Sequence, residues 1–396
     1  MEVFYNTHAY LLENTPTTLR RGLMDEIDWS ARLIGIKGAR GVGKTTFLLQ
    51  YAKDNFASTD KRCLYVNMNN FYFQGTELFD FANSFYHQGG RVLLIDQVFK
   101  SADWSKQLRK CYDLLPELKI VFTGSSVMRL KDENPELNGI CKSYNLRGFS
   151  FREYLNLEAG CRFPAITLEQ LLANHEKISN EVLLRVSNIN VYFNKYIDHG
   201  FYPIYRENRD FHDTLEKKMN MMTEVDILLI KQIELKYLAR IKKLFYLLAA
   251  NGPQAPNISQ LAHDIETSRA TVMNYIKYLA DARLINIIYP YGQDFPKKPS
   301  KVMLHNSNLL GAIFPINFDR QVKMETFFVN TMWKDHKVNQ RQRDYLYLID
   351  GKRQFRICDA RKDFRSRFNS DIIYARYNSN VGQDNQIPLW LFGFLY

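Results

Sequence analysis

The stretch GARGVGKTT, Gly38 to Thr46, follows the apolar run RLIGIK (32–37) and leads into a segment with helical character from about Thr45. It fits the pattern GxxxxGK[ST] from Gly38 to Thr45, in the strand-to-helix setting that gives the pattern its meaning. Glycines let the backbone turn so that consecutive N–H groups face an anion at a helix N-terminus. Lys44 then reaches the β and γ phosphates of a nucleotide, and the Thr45 hydroxyl ligates Mg²⁺. The nucleotide-contacting set expected from this loop is Gly38, Ala39, Arg40, Gly41, Val42, Gly43, Lys44, Thr45 and Thr46. Such a loop needs a parallel sheet behind it. Short apolar stretches supply one, CLYVNM (63–68), VLLID (92–96) and KIVFT (119–123), alternating with helical pieces such as SKQLRKCYDLL (105–115). The first part therefore reads as an α/β domain of the P-loop type.

VLLID ends in Asp96, placed to share Mg²⁺ with Thr45. The next residue, where a carboxylate that activates water is usual, is Gln97. After KIVFT comes GSS, which puts Ser125 where a γ-phosphate or attacking water would lie. The plainer reading is that Thr123 and Ser125 cap the loop.

From about Ser150 to Lys236 helical periodicity replaces the strand signals. Ile241, Leu244, Phe245 and Leu248 then share one helical face, followed by NISQLAHDI (257–265), in which Asn257 and Gln260 have capping-box spacing. RATVMNYIKYLADARL (269–284) turns Val272, Tyr275, Ile276 and Leu279 to one side, and INIIYP and KVMLH follow as strands. Three helices and a hairpin predict a winged helix-turn-helix. The remaining residues mix helix with strand, a small second α/β domain. The boundaries expected are 1–155 for the P-loop domain, 156–235 for a helical connector, 236–305 for the winged helix and 306–396 for the terminal domain.

Charge separates these parts. Residues 1–235 hold 29 Lys and Arg against 29 Asp and Glu, whereas residues 236–396 hold 24 against 13, so the whole net charge of +11 lies in the second stretch. A basic half suits DNA, through Arg269, Thr271, Asn274, Lys277 and Lys298 on the recognition helix and wing; a winged helix also serves as a protein-binding module. The run KRQFRICDARKDFRSRF (352–368) interleaves bases with Phe355, Phe364 and Phe368, a stacking surface or, in the commoner case, a core with a basic outer face. The five cysteines show no CxxC pairing and read as reduced thiols. No apolar run reaches bilayer length and the start lacks a secretory signal, so the cytoplasm is the expected location.

Together with LLIDQVFKSADWSKQLRKCYD (93–113), IVFTGSS (120–126), LRGFSFREYLNL (146–157), KPSKVMLHNSNLL (298–310), METFFVN (324–330) and IPLWLFGFLY (387–396), the glycine-rich loop makes the chain resemble a known group. It is similar to bacterial and archaeal AAA-type ATP-binding proteins whose ATPase domain is followed by a winged helix and a carboxy-terminal domain of unknown function with a restriction-endonuclease-like fold. The resemblance implies ATP and Mg²⁺ as cofactors and allows an oligomer. Three departures stand out. The group's DEVHK is here DQVFK, Asp96 to Lys100; its candidate arginine finger falls at Gly139-Ile140; and the glutamate and lysine around QFRICDARK are Arg356 and Ala360. Loss of a general base costs about 10²–10⁴ in rate, and loss of an arginine finger about 10³–10⁵. The expectation is an ATP-binding switch with weak or lost hydrolysis and a degenerate nuclease-like terminal domain. The alternative is an active ATPase in which Gln97 positions water and Arg129, Arg147, Arg152 or another subunit supplies the arginine.

Overall fold

The computed structural model of the chain describes residues 1–128, 130, 133–207, 210–314, 319–341, 346–361 and 369–396. They form two compact units, Met1–Gly148 and Phe149–Tyr396. The first unit closes at Gly148, where the sequence suggested 155, and the second holds the three later segments without a further division between units.

In the first unit the described strands are β1 (Leu33–Gly38), β2 (Cys63–Asn67), β3 (Val92–Asp96), β4 (Lys119–Ser125) and β5 (Cys141–Asn145). They form one sheet in the order β2-β3-β4-β1-β5, and every neighbouring pair is parallel. β3 is buried along its whole length, as its unbroken apolar run requires of a strand covered on both faces. β2 lies at the edge, against the helix Glu2–Glu13. There the Tyr65 N–H donates to Nδ1 of the buried His8 at 3.0 Å, so an imidazole takes up a backbone donor of this edge strand.

The second unit begins with a capping box: the Ser150 hydroxyl accepts from the Glu153 N–H and the Glu153 carboxylate accepts from the Ser150 N–H. Helices Phe151–Glu158, Leu168–Leu183, Ile189–Lys195, Phe211–Met221 and Leu228–Lys231, with shorter helical turns between them, lie in the helical segment. Helices Leu238–Ala250, Ile258–Asp264 and Arg269–Asp281 then lead into β6 (Ile285–Pro290) and β7 (Lys301–Leu304), an antiparallel hairpin, completing the winged helix. Val272, Tyr275, Ile276 and Leu279 are its buried stripe. Asn257 caps its helix by accepting from the Gln260 N–H, but the Gln260 amide donates to Asp264, so the reciprocal half of the box is missing.

The terminal α/β part consists of helices Ser307–Ile313 and Arg320–Met332 with β8 (Val338–Gln340), β9 (Tyr347–Ile349), β10 (Arg353–Asp359), β11 (Ile372–Tyr377) and β12 (Gln386–Pro388). Its strands join the wing in one sheet, ordered β12-β11-β10-β9-β8-β6-β7. The junction is a parallel pairing of Tyr289 with Asn339. Phe328, Phe355 and Phe392 pack around one another with ring centroids 5.2 to 5.9 Å apart. Phe355 is thus core and takes no part in a stacking surface; Phe364 and Phe368 lie outside the described residues.

Candidate functional site

The loop leaves the carboxyl end of β1 and enters the helix Lys44–Asn55. All three of its glycines are required by geometry, Gly41 because its backbone is left-handed at φ 83°. Gly43 caps the helix in the left-handed region at φ 94°, where a side chain is strained. At Gly38 a Cβ would stand 2.4 Å from the Leu146 carbonyl oxygen. Lys44 Nζ donates to the carbonyls of Gly38 and Ala39, each at 2.8 Å, which folds the ammonium over the start of the loop. Ala39 and Val42 are buried, while Arg40, Gly41 and Thr46 are half-buried. The Val42 carbonyl accepts from Arg21 Nη1 at 3.0 Å. Nη2 of the same buried guanidinium donates to the carbonyls of Arg147 at 2.8 Å and Gly148 at 3.1 Å, bracing the loop against the end of the unit.

Asp96 is buried at the end of β3 and gathers three hydroxyls from three elements. Its Oδ2 accepts from Thr45 Oγ1 at 2.6 Å and from the Tyr65 phenol at 2.9 Å; its Oδ1 accepts from Thr123 Oγ1. Burial, and then the neighbouring carboxylate, hold the Tyr65 phenol well above its ordinary pKa, so it stays a protonated donor. Gln97 sits in the left-handed region at φ 57°, and its N–H donates to Thr123 Oγ1 at 3.0 Å. Thr123 therefore ties the Asp96 side chain and the Gln97 backbone to β4. Strain of this kind in a residue other than glycine collects at functional sites. Ser125 pairs in register with Gly38, and its hydroxyl accepts from the Val127 N–H at 3.4 Å, a loop-capping contact.

Thr45, Asp96, Gln97 and Ser125 thus gather around the glycine-rich loop. Arg21 and Tyr65 were not singled out in the sequence, and Thr123 appeared there only as a cap. The signal for Tyr65 was its polar tip within the buried part of the strand CLYVN, next to VLLID. Of the candidate arginines, Arg129 lies outside the described residues. Arg152 is buried in the second unit, donating to the carbonyls of Tyr396 at 3.0 Å and Phe163 at 3.1 Å. Gly139, at the candidate finger position, has φ 78° in the turn before β5.

In the winged helix Arg269, Asn274 and Lys298 are exposed. Thr271 is drawn into the cap, its N–H and hydroxyl both on Ser268 Oγ, and Lys277 Nζ stands 4.1 Å above the centre of the Phe295 ring. Farther on, Asp350 accepts from the Lys337 N–H and from His336 at the β9–β10 turn, while Asp359 closes the other end of β10. At about 3.3 Å per residue they are roughly 20 Å apart. Among the described residues no group of three or more His, Cys, Asp or Glu could hold a metal ion. Asp344, which with Asp350 and Asp359 is one of the carboxylates a nuclease-like terminal domain would have available for a metal, lies outside them.

A five-stranded parallel sheet with a glycine-rich, lysine-tipped loop at the carboxyl end of β1 and a buried aspartate at the end of β3 defines the P-loop class of domains. Residues 30–155 match the family model described as an AAA domain, so the chain carries an AAA-type P-loop ATPase domain. Residues 190–319 match a domain of unknown function, DUF8612. An uncharacterized protein of Methanocaldococcus jannaschii is 27% identical over 275 residues, 66% of this chain and 57% of that relative, so the match spans little more than half the relative's length. The structure of the Aeropyrum pernix ORC1 protein in complex with DNA aligns over 80% of this chain and 92% of that one, at 10% identity and a TM-score of 0.32. Likeness at that level carries no function across. No helix among the described residues is long and apolar enough to cross a membrane.

Proposed function

We propose that this chain binds ATP with Mg²⁺ and works as a nucleotide-dependent switch with weak or lost hydrolysis. The donor set suits both groups. A P-loop lysine and helix-terminal N–H groups meet phosphate, while the Thr45 hydroxyl and Asp96 carboxylate, already 2.6 Å apart, are the hard oxygens Mg²⁺ prefers. The observation that carries the reading is Gln97 beside Asp96. An amide cannot take a proton from water, so general-base catalysis is lost while phosphate binding remains. Its backbone tie to Thr123 also suits an amide that orients water, which keeps an active, slow ATPase as the competing reading.

Phosphate release by the natural protein, Gln97→Glu and Lys44→Ala separates the two. For a switch, the natural protein matches Lys44→Ala and Gln97→Glu gains about 10²-fold or more. Turnover by the natural protein well above Lys44→Ala sinks the switch reading.

The partner is DNA or a protein, met through the basic part of the second unit. Arg269, Asn274 and Lys298, exposed on the winged helix, support DNA; the cap around Thr271 and the stacked Lys277 weaken those two as direct contacts. A switch requires that the ATP-bound and free states differ in affinity for that partner. Cysteines left unpaired fit a reducing, cytoplasmic setting.

A further inference from the structure

Three hydroxyls converge on Asp96, and two already have a place in the site: Thr45 belongs to the loop's helix, and Thr123 holds the Gln97 backbone. Tyr65 is left over. Its ring rises from the edge strand β2, paired with Leu94 of β3, and is only 5% exposed. Its hydroxyl reaches the same carboxylate oxygen that Thr45 reaches, at 2.9 Å and 2.6 Å. A carboxylate oxygen offers two lone pairs. Oδ2 is therefore filled by Thr45 and Tyr65 together, and a cation gains access when one of the two hydroxyls turns its proton away. Thr45 lies exposed at the first turn of its helix, so its hydroxyl proton can turn from Oδ2 toward solvent without moving the side chain. Tyr65 cannot swing out, because its ring is enclosed in the core and its backbone N–H is held by His8.

We propose that Tyr65 is a positioning residue for the divalent cation of this site: its phenol fixes the orientation of the Asp96 carboxylate when Thr45 turns to the metal. The proposal rests on the ATP–Mg²⁺ reading above. Outer donors of this kind typically contribute about tenfold or more to metal affinity by holding a ligand in place. A tyrosine acting only as core would affect stability and all nucleotide binding together, with no preference for the metal-dependent part.

The test is binding of a fluorescent ATP analogue to the full chain and to Tyr65→Phe, first in EDTA and then across a MgCl₂ series. The expected result is unchanged affinity in EDTA and a rise of about tenfold in the Mg²⁺ concentration for half-maximal enhancement. An unchanged Mg²⁺ midpoint overturns the proposal while leaving nucleotide binding standing. Equal loss with and without metal also overturns it and makes Tyr65 a core aromatic. If the natural protein binds no analogue in either condition, the ATP reading falls and takes this proposal with it.

Discussion

At the scale of single residues, the chemistry concentrates on a few hydroxyls and one carboxylate. Thr123 has the tightest double duty, donating to Asp96 Oδ1 and accepting from the Gln97 N–H. Thr123→Val keeps the shape and removes both bonds, leaving a buried carboxylate oxygen and a strained backbone N–H without their partner. A loss of about 1–3 kcal/mol is expected, read as a lower urea midpoint; a midpoint within error of the natural protein would show that water replaces the hydroxyl at no cost. The glycines and Lys44 were legible because the pattern itself encodes a local turn and a phosphate cradle. Arg21 was not, because its guanidinium answers to carbonyls at Val42, Arg147 and Gly148 that no local spacing connects.

At the scale of elements, periodicity located four of the five strands of the first unit and the helix Arg269–Asp281 with its buried stripe, but it missed β5 (Cys141–Asn145), whose residues CKSYN are half-buried or exposed and carry no apolar run. It did not reveal what covers the edge of β2. His8 does so as an acceptor at Nδ1, which requires a neutral ring, and burial lowers its pKa from 6.5 to about 4. Because the folded pKa lies below the unfolded one, the unfolded chain gains a proton first as the pH drops. Stability is then lost between pH 6.5 and about 4 and is fully present above that window. The slope is at most about 1.4 kcal/mol per pH unit from this group. Thermal unfolding across that range should show the fall, and His8→Asn, which keeps an acceptor but does not titrate, should flatten it; equal slopes in both proteins would remove His8 as the cause. Periodicity also treated the winged helix and terminal domain as separate, because β6 and β8 pair across about fifty residues through only Tyr289 with Asn339 and Pro290 with Gln340.

For the molecule as a whole, charge and fold point to different tasks for different parts: a neutral stretch holds the P-loop domain, and the basic stretch begins with the winged helix. If DNA is the partner, affinity should fall steeply with salt, and replacing Arg269 and Lys298 with Glu should weaken it and reduce the log–log slope by roughly 0.9 for each phosphate no longer neutralised. Binding with the same salt slope after both changes would take the winged helix away from the DNA and leave a protein partner. By itself, the sequence determined the P-loop, the alternation of strands and helices behind it, the winged helix and the presence of an amide, Gln97, directly after Asp96, since each is written in neighbouring residues and local geometry. Only the tertiary structure decided which groups surround Asp96. Thr45, Tyr65 and Thr123 are far apart in the chain, and they meet because parallel pairing of β2, β3 and β4 aligns their carboxyl ends beside the loop.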